Sequence, residues 1–358
     1  MNILVTAAGS PGFLSVRSAL KSTRGLKSEF ELHACDMSTH SMGMQTVNNS
    51  FTVPPGGSKN YIPTLLKYCR ENSIELVIPC ADGELLPLAR AKTEFKNIGC
   101  QVLVSSPDSI ATCLDKGELF KFCLSNSLEK YIVAHEICSS VRQLRQYYDE
   151  LSTLGHQVCI KPTAAHGSRG FRVLEGLPTR EEFFSQKAKP HNMTIENLLE
   201  VLSHEDKSTF PGLLVMEYLP GREYSVDCFM RRGDFICIPR TREIIKDGIC
   251  VSGQVQKNEE LIEAAQLVYK KLGLRYNANI QFRYDKEGKP KLLEVNPRFA
   301  GTMEHCRGAG INLVEVAVHD ILGLTPYQYD IKWGTKMNRV WSEIFERNGE
   351  YFTLAENQ

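Results

Sequence analysis

Over residues 1–110, short apolar runs alternate with stretches of helical period, and this alternation narrows the fold more than any other feature of the chain. Ile3–Ala7, Phe30–Cys35, Leu76–Pro79 and Val102–Ser105 read as strands. Between them, 59–72 and 83–97 read as helices, the second placing Leu85, Leu88 and Ala89 at three- and four-residue spacing. Strands separated by helices imply a parallel sheet with crossover connections, so a small Rossmann-like unit is expected over 1–106.

From about 107 the texture changes. Helices are expected near 107–125, 139–154 and 180–203, around a strand at Val158–Lys161. Strand-like runs follow at 213–219, 223–230 and 234–240, then a helix at 258–272 and a hairpin at 278–295. The helix is marked by Leu261, Ala265, Val268 and Leu272 at i, i+4, i+7 and i+11. The expected second half is α+β, built on antiparallel sheets over 107–325 and divided into 107–210 and 211–325. A tail over 326–358, carrying Trp333 and Trp341, is expected to fold back on the body.

Composition excludes some functions. Lys plus Arg and Asp plus Glu both number 42, for a formal net charge of +0, which disfavours a generally basic nucleic-acid binder. The 12 cysteines form no CxxC pair and sit mostly in apolar runs such as Val77–Cys80, as reduced thiols in a cytosol would. No window approaches the roughly 18 apolar residues of a membrane span, and no signal peptide is evident at Met1. A soluble, cytoplasmic protein with no membrane partner is expected.

The segment Asn277–Arg298 carries the most chemistry. Two strand-like runs flank Lys286-Glu287-Gly288-Lys289, which suits a four-residue turn. Pairing that is symmetric about this turn sets Gln281 opposite Glu294, with Asn296 on the same face because strand side chains alternate. Leu293 and Val295 then point to the core. Three oxygen donors with one carboxylate suit a hard cation such as Mg²⁺, which binds through few carboxylates plus substrate phosphates. Arg298 follows at once, where it could neutralise charge developing in phosphoryl transfer.

Upstream, Val158-Cys159-Ile160-Lys161-Pro162 ends a strand in a lysine and leads into a loop of small residues, 163–170. Such a loop lets backbone N–H groups approach a polyanion. There is no GxxxxGK[ST], and no GxGxxG follows the first strand, so P-loop and dinucleotide-oxidoreductase readings lose ground.

In this order the motifs resemble those of the ATP-grasp carboxylate-amine ligases, particularly modules similar to the large subunit of carbamoyl phosphate synthase. The resemblance covers roughly 107–325. It implies a Rossmann-like pre-ATP-grasp domain followed by a two-subdomain ATP-grasp fold, with ATP and Mg²⁺, or Mn²⁺, as cofactors. Lys116 in Asp115-Lys116 and Lys161 match phosphate-contacting lysines, and the loop with Gly167, Ser168 and Gly170 matches the glycine-rich lid. Leu214–Glu223 is similar to the adenine hinge, which implies adenine contacts at Glu217, Tyr218 and Leu219 and ribose contact at Glu223. Gln281, Glu294 and Asn296 match the metal ligands and Arg298 the arginine beside the transferred phosphate.

The implied reaction activates a small carboxylate as an acyl phosphate and joins it to an amine, with Arg240 or Arg242 also holding the acyl phosphate. A carboxylate kinase and a non-catalytic nucleotide sensor are the alternatives. The substrate pair is not legible; Thr302, Glu304, His305 and Arg307 are candidate acceptor contacts. A homodimer is typical of the family. Two amino-terminal features have plainer readings: Ala7–Gly12 as a tight strand-to-helix turn, and Asp82-Gly83-Glu84 as a helix start with acids in its first turn, or else a contact to a substrate amine.

Overall fold

The computed structural model describes residues 1–23, 30–164, 169–185, 191–203, 210, 212–231, 234–246, 248–324, 328–340, 345–347 and 350–352. The chain opens with β1 (Asn2–Val5), α1 (Pro11–Lys21), β2 (Glu31–Asp36), β3 (Asn49–Thr52), α2 (Tyr61–Glu71), β4 (Ile74–Ile78), α3 (Asp82–Arg90), α4 (Lys92–Asn97) and β5 (Gln101–Val102). These strands form one parallel sheet in the order β3-β2-β1-β4-β5, as the Rossmann-like pattern implies. The order reverses between β1 and β4. Their carboxyl ends therefore flank a crevice of the kind in which open α/β sheets bind ligands.

The structure departs locally from four of the expected elements. The stretch 83–97 is two helices, interrupted at Ala91. The stretch 107–125 is likewise divided into α5 (Pro107–Leu114) and α6 (Lys116–Ser125), because Asp115 adopts extended backbone and caps α6. Its Oδ1 accepts from Gly117 N at 2.7 Å and Glu118 N at 3.0 Å. The expected helix at 180–203 is α8 (Arg180–Ser185) and α9 (Ile195–Ser203), with a short strand, Asn192–Met193, between them. The last expected strand, Val102–Ser105, is only the two residues of β5.

The body continues with β6 (His135–Cys138), α7 (Val141–Thr153), β7 (Val158–Pro162), β8 (Arg172–Leu174) and β9 (Asn192–Met193), then β10 (Leu213–Glu217). These five strands make a second sheet, β6-β10-β7-β8-β9. A third sheet has the order β12-β11-β15-β16, from β11 (Glu223–Arg231), β12 (Asp234–Thr241), β15 (Tyr276–Tyr284) and β16 (Pro290–Asn296). Between β12 and β15 lie β13 (Ile244–Lys246), β14 (Ile249–Gln254) and α10 (Glu259–Lys271). After β16 come α11 (Glu304–Gly308), α12 (Leu313–Ile321) and β17 (Lys336–Asn338), the last pairing with β14. Trp333 is described there, whereas Trp341 lies outside the described residues.

One core joins the second and third sheets: Cys159, Leu214 and Met216 pack with Val226, Ile280, Phe282 and Leu292 and with Leu261, Ala265 and Val268 of α10. A second core carries the parallel sheet onto α12, with Ile3, Phe13 and Leu20 meeting Phe299, Val314 and Val318. All twelve cysteines are buried and free, the small-hydrophobe role expected of them. Among the described residues no helix is long and apolar enough to cross a membrane.

Candidate active site

The third sheet has two chemically different faces. Tyr224, Val226 and Cys228 of β11, with Ile280, Phe282 and Val295 beside them, face the core. The opposite face is polar: alternation along β11 directs Glu223, Ser225 and Asp227 to it. Across the strands, Arg240, Ser225, Gln281 and Glu294 stand in one row, and Asp227, Asn279 and Asn296 stand in the next. Asp227 is 3% exposed, and its carboxylate accepts from Asn279 Nδ2 at 2.7 Å and from Arg240 Nε at 2.7 Å. Sequence reading missed Ser225, Asp227 and Asn279. The signal was present in the alternation of Glu223, Ser225 and Asp227, yet a strand alone does not say which neighbours its polar face meets.

The hairpin reaches the expected pairing by another route. Tyr284 is opposite Pro290, Arg283 opposite Lys291 and Phe282 opposite Leu292, so the connection is five residues rather than the expected four. A register shift at Leu293 then sets Gln281 opposite Glu294. Such a bulge frees a backbone group from the ladder. Here the Leu293 carbonyl accepts from Lys161 Nζ at 3.1 Å.

Lys116 and Lys161 arrive from the other side, at the start of α6 and the end of β7. Lys116 is buried, with Nζ 3.8 Å from Glu294 Oε2. Its backbone N donates to Thr163 O at 2.8 Å, which ties the break at Asp115 to β7. Burial, and next the neighbouring Lys116, push the Lys161 ammonium down to about 8. Burial raises the Glu294 carboxyl, but Lys116, the Asn296 amide and Lys161 outweigh it and hold the group below the usual carboxylate value. Asn296 Nδ2 donates to Glu294 Oε1 at 3.0 Å. Gln281, Glu294 and Asn296 thus bring oxygen donors and one ionised carboxylate to one face, a set that fits a hard divalent cation. Among the described residues, no group of three or more His, Cys, Asp or Glu offers a softer metal site.

At the hinge, Tyr218 N donates to Gln157 O at 2.7 Å and Glu217 N to Ala134 O at 3.1 Å. Those two N–H groups are therefore engaged, and the Tyr218 N–H is withdrawn from the expected reading of an adenine edge. The Glu217 carboxylate pairs with His156 Nδ1 at 3.1 Å. Glu223 stands against Arg242 at 3.2 Å and Arg283 at 3.9 Å. Arg283 also lies over the Tyr218 ring at 4.8 Å. A cavity of about 540 Å³ opens here, lined by Gly221, Arg222, Glu223, Arg242, Glu243 and Arg283 among others. Gly167 and Ser168 lie outside the described residues. Gly170 has φ +72°, and a Cβ there would stand 2.6 Å from Pro162 Cγ, so glycine is required at that bend.

Arg298 does not stand alone after β16. Its Nε and Nη2 donate to Asp82 Oδ1 at 2.6 Å and Oδ2 at 3.1 Å. The two arginines of the 240–242 segment are likewise committed in part, Arg240 to Asp227 and Arg242 to Glu223. Of the candidate acceptor contacts, Arg307 pairs with Glu304, while His305 is buried. At the amino end, Gly9 N donates to Asp36 Oδ2 at 2.7 Å, so the carboxylate that ends β2 braces the Ala7–Gly12 turn.

Residues 209–343 match a family model described as ATP-grasp in the biosynthetic pathway with Ter operon, and residues 3–103 match one described as the PylC-like N-terminal domain. The chain has the ATP-grasp fold, and the family match lies over residues 209–343. The biotin carboxylase domain of 2-oxoglutarate carboxylase from Hydrogenobacter thermophilus, solved as a dimer with MgADP, ADP and bicarbonate, shares this chain's fold with a TM-score of 0.69 at 16% identity, covering 94% of this chain and 73% of that one. N5-carboxyaminoimidazole synthetase from Staphylococcus aureus, complexed with ADP, matches with a TM-score of 0.67 at 11% identity over 95% of this chain and 82% of its own. Mitochondrial pyruvate carboxylase of Rattus norvegicus is 21% identical over 262 residues, which span 72% of this chain but only 22% of that relative.

Proposed function

We propose that the chain is an ADP-forming ligase that activates a small carboxylate as an acyl phosphate and joins it to an amine. The observation that carries this reading is the approach of Lys116 and Lys161 to the Glu294 carboxylate above a polar sheet face. Cations from two elements thus meet a cation-binding oxygen set at one place. The ADP and MgADP held by the two structural relatives support the same cofactor here.

In this reading Lys116 and Lys161 hold phosphate oxygens as point charges. The Glu217 carbonyl and the Leu219 N–H read the adenine edge, and Glu223 turns from Arg242 to the ribose hydroxyls. Gln281, Glu294 and Asn296 would hold Mg²⁺ or Mn²⁺, which neutralises phosphate charge when bound. Arg298, oriented by Asp82, faces the transferring phosphoryl group, and Arg242 adds positive charge on the same side. Such catalysis is positioning and electrostatics, requiring no covalent nucleophile from the chain. The finer likeness to carbamoyl phosphate synthase, the division at 106 and 325, and a homodimer belong to this proposal as well.

ADP release from ATP and Mg²⁺ with paired panels of carboxylic acids and amines tests the reading. A ligase requires both partners; release with the acid alone marks a carboxylate kinase. Turnover that survives Glu294→Ala would sink the metal assignment, and absence of ADP release under every pair favours a nucleotide sensor.

A further inference from the structure

The turn that carries the hinge, between β10 and β11, is fastened to the end of β15. Gly221 N donates to Tyr284 O at 3.0 Å, and Tyr284 N donates to Arg222 O at 3.1 Å. The approach is close: a Cβ at Gly221 would stand 2.5 Å from the Tyr284 carbonyl oxygen. Arg283, opposite Glu223 in the β11–β15 ladder, adds its side chain to this contact. Its Nε donates to Gly221 O at 3.0 Å and its Nη2 to Tyr218 OH at 3.0 Å, with the guanidinium 4.8 Å over the Tyr218 ring. One planar fork therefore spans the turn from 218 to 221, using two hydrogen bonds and a cation–π contact.

The remaining edge of the fork faces the cavity. Arg283 Nη1 lies 3.9 Å from Glu223 Oε2, while Arg242 Nε lies 3.2 Å from Oε1, so the carboxylate has a different arginine at each oxygen. All three residues line the space of about 540 Å³ beside the hinge. The two arginines are anchored differently. Arg242 Nη2 donates to Gly248 O at 2.7 Å, away from the hinge, whereas Arg283 is anchored on the hinge itself. Alternation along β15 also sets Arg283 on the same face as Gln281, two residues and roughly 7 Å along the strand. The side chain thus joins the hinge, the Glu223 carboxylate and the strand that carries a metal-binding oxygen.

Resting on the ATP half of the ligase reading above, we propose that Arg283 is a positioning residue for the nucleoside end of ATP. Its fork fixes the turn that in that reading meets the adenine edge. Its Nη1 stays beside Glu223 Oε2 as Oε1 leaves Arg242 for the ribose hydroxyls, so the carboxylate turns about a held oxygen. The nucleoside end is thereby set at a constant distance from Gln281. Lysine would keep the charge and lose the function, because a single ammonium has no planar fork with which to span the turn.

The test is isothermal titration of the full chain, in Mg²⁺, with ATP and with tripolyphosphate, which carries the phosphates and no nucleoside. Arg283→Lys is expected to weaken ATP about tenfold, the worth of one charge-assisted hydrogen bond, and to leave tripolyphosphate within about twofold because the charge is kept. A merely structural role would weaken both ligands alike or neither, and either result overturns the proposal. If Arg283→Lys fails to fold, Tyr218→Phe decides, since it keeps the ring and removes only the acceptor of Nη2. It too should weaken ATP and spare tripolyphosphate; equal effects on the two overturn the proposal. A native chain that binds neither ligand would sink the ligase reading, whereas native binding of ATP with equal losses in the variant would sink this one alone.

Discussion

Asp82 and Arg298, 216 residues apart, form a two-point ion pair that ties the carboxyl end of β4 in the parallel sheet to the end of the β15–β16 hairpin. The side chains are 11% and 20% exposed, so water screens the pair little. Burial lowers the Arg298 guanidinium, but Asp82 more than offsets it and holds the group above its usual value. In the ligase reading this fixes Arg298 toward the phosphoryl group, and Nη1 donating to Phe299 O at 3.2 Å braces it further.

Asp82→Asn should therefore slow ADP release roughly 10²-fold while changing the apparent KM for ATP little, because Arg298 loses its orientation and not its charge. Removing one partner of this largely buried pair should also cost about 3 kcal/mol in urea unfolding. Asp82→Asn and Arg298→Gln combined should cost less than their sum; strict additivity would show that the two residues do not act together.

Lys161 gives a pH dependence. Its ammonium titrates near 8 in the folded chain against 10.5 ordinarily, so the charge that attracts phosphate is present below about 8 and lost above it. Metal-free binding of ATP should weaken by up to about tenfold for each pH unit above 8 as this charge is lost. Stability runs the other way: because the folded value is lowered, the buried charge opposes folding below 8, and that penalty is relieved as pH rises toward 10.5. Titrating ATP at a series of pH values checks the first statement. Lys161→Met should bind weakly at every pH and abolish the slope.

Glu294 separates cation binding from phosphate binding. Glu294→Gln keeps the shape and an oxygen but removes the carboxylate that faces Lys116. Mg²⁺-dependent ADP release should fall at least 10²-fold, whereas metal-free ATP binding should hold or tighten, since Lys116 is no longer countered. Weakened metal-free ATP binding in this variant would contradict the placement of Glu294 beside the phosphates.

The alternation in the first 110 residues was enough to foresee a parallel sheet, because apolar period is a local signal. The pairing of Gln281 with Glu294 was also legible, although it rests on a five-residue connection corrected by the bulge at Leu293, which no pattern of hydrophobicity encodes. Asp82 was read as a helix-start acid because its partner is far away in sequence. The same holds for Asp227 and Arg240 and for His156 and Glu217. Each depends on which strands and helices become neighbours. Sequence period reports which face a side chain takes, and only the assembled sheets report what stands across from it.

Glu84 provides the last test, of the platform that carries Asp82. It is 6% exposed; Oε1 accepts from Thr6 Oγ1 at 2.5 Å, Cys80 N at 2.9 Å and Ala81 N at 3.0 Å, and Oε2 accepts from Tyr61 OH at 2.6 Å. Burial raises this carboxyl above the usual glutamate value even though all four donors favour its charged form. The folded chain therefore holds the proton more tightly than the unfolded chain. Its contribution is fully present at pH below the unfolded value and declines as pH rises through the raised folded value. Glu84→Gln keeps the three Oε1 bonds and lets Tyr61 OH accept from the new amide, while removing the titration. Urea midpoints of the native chain should accordingly fall, relative to those of Glu84→Gln, as pH climbs from 4 toward 7. Parallel midpoints over that range would mean that the four donors, and not burial, govern this carboxyl.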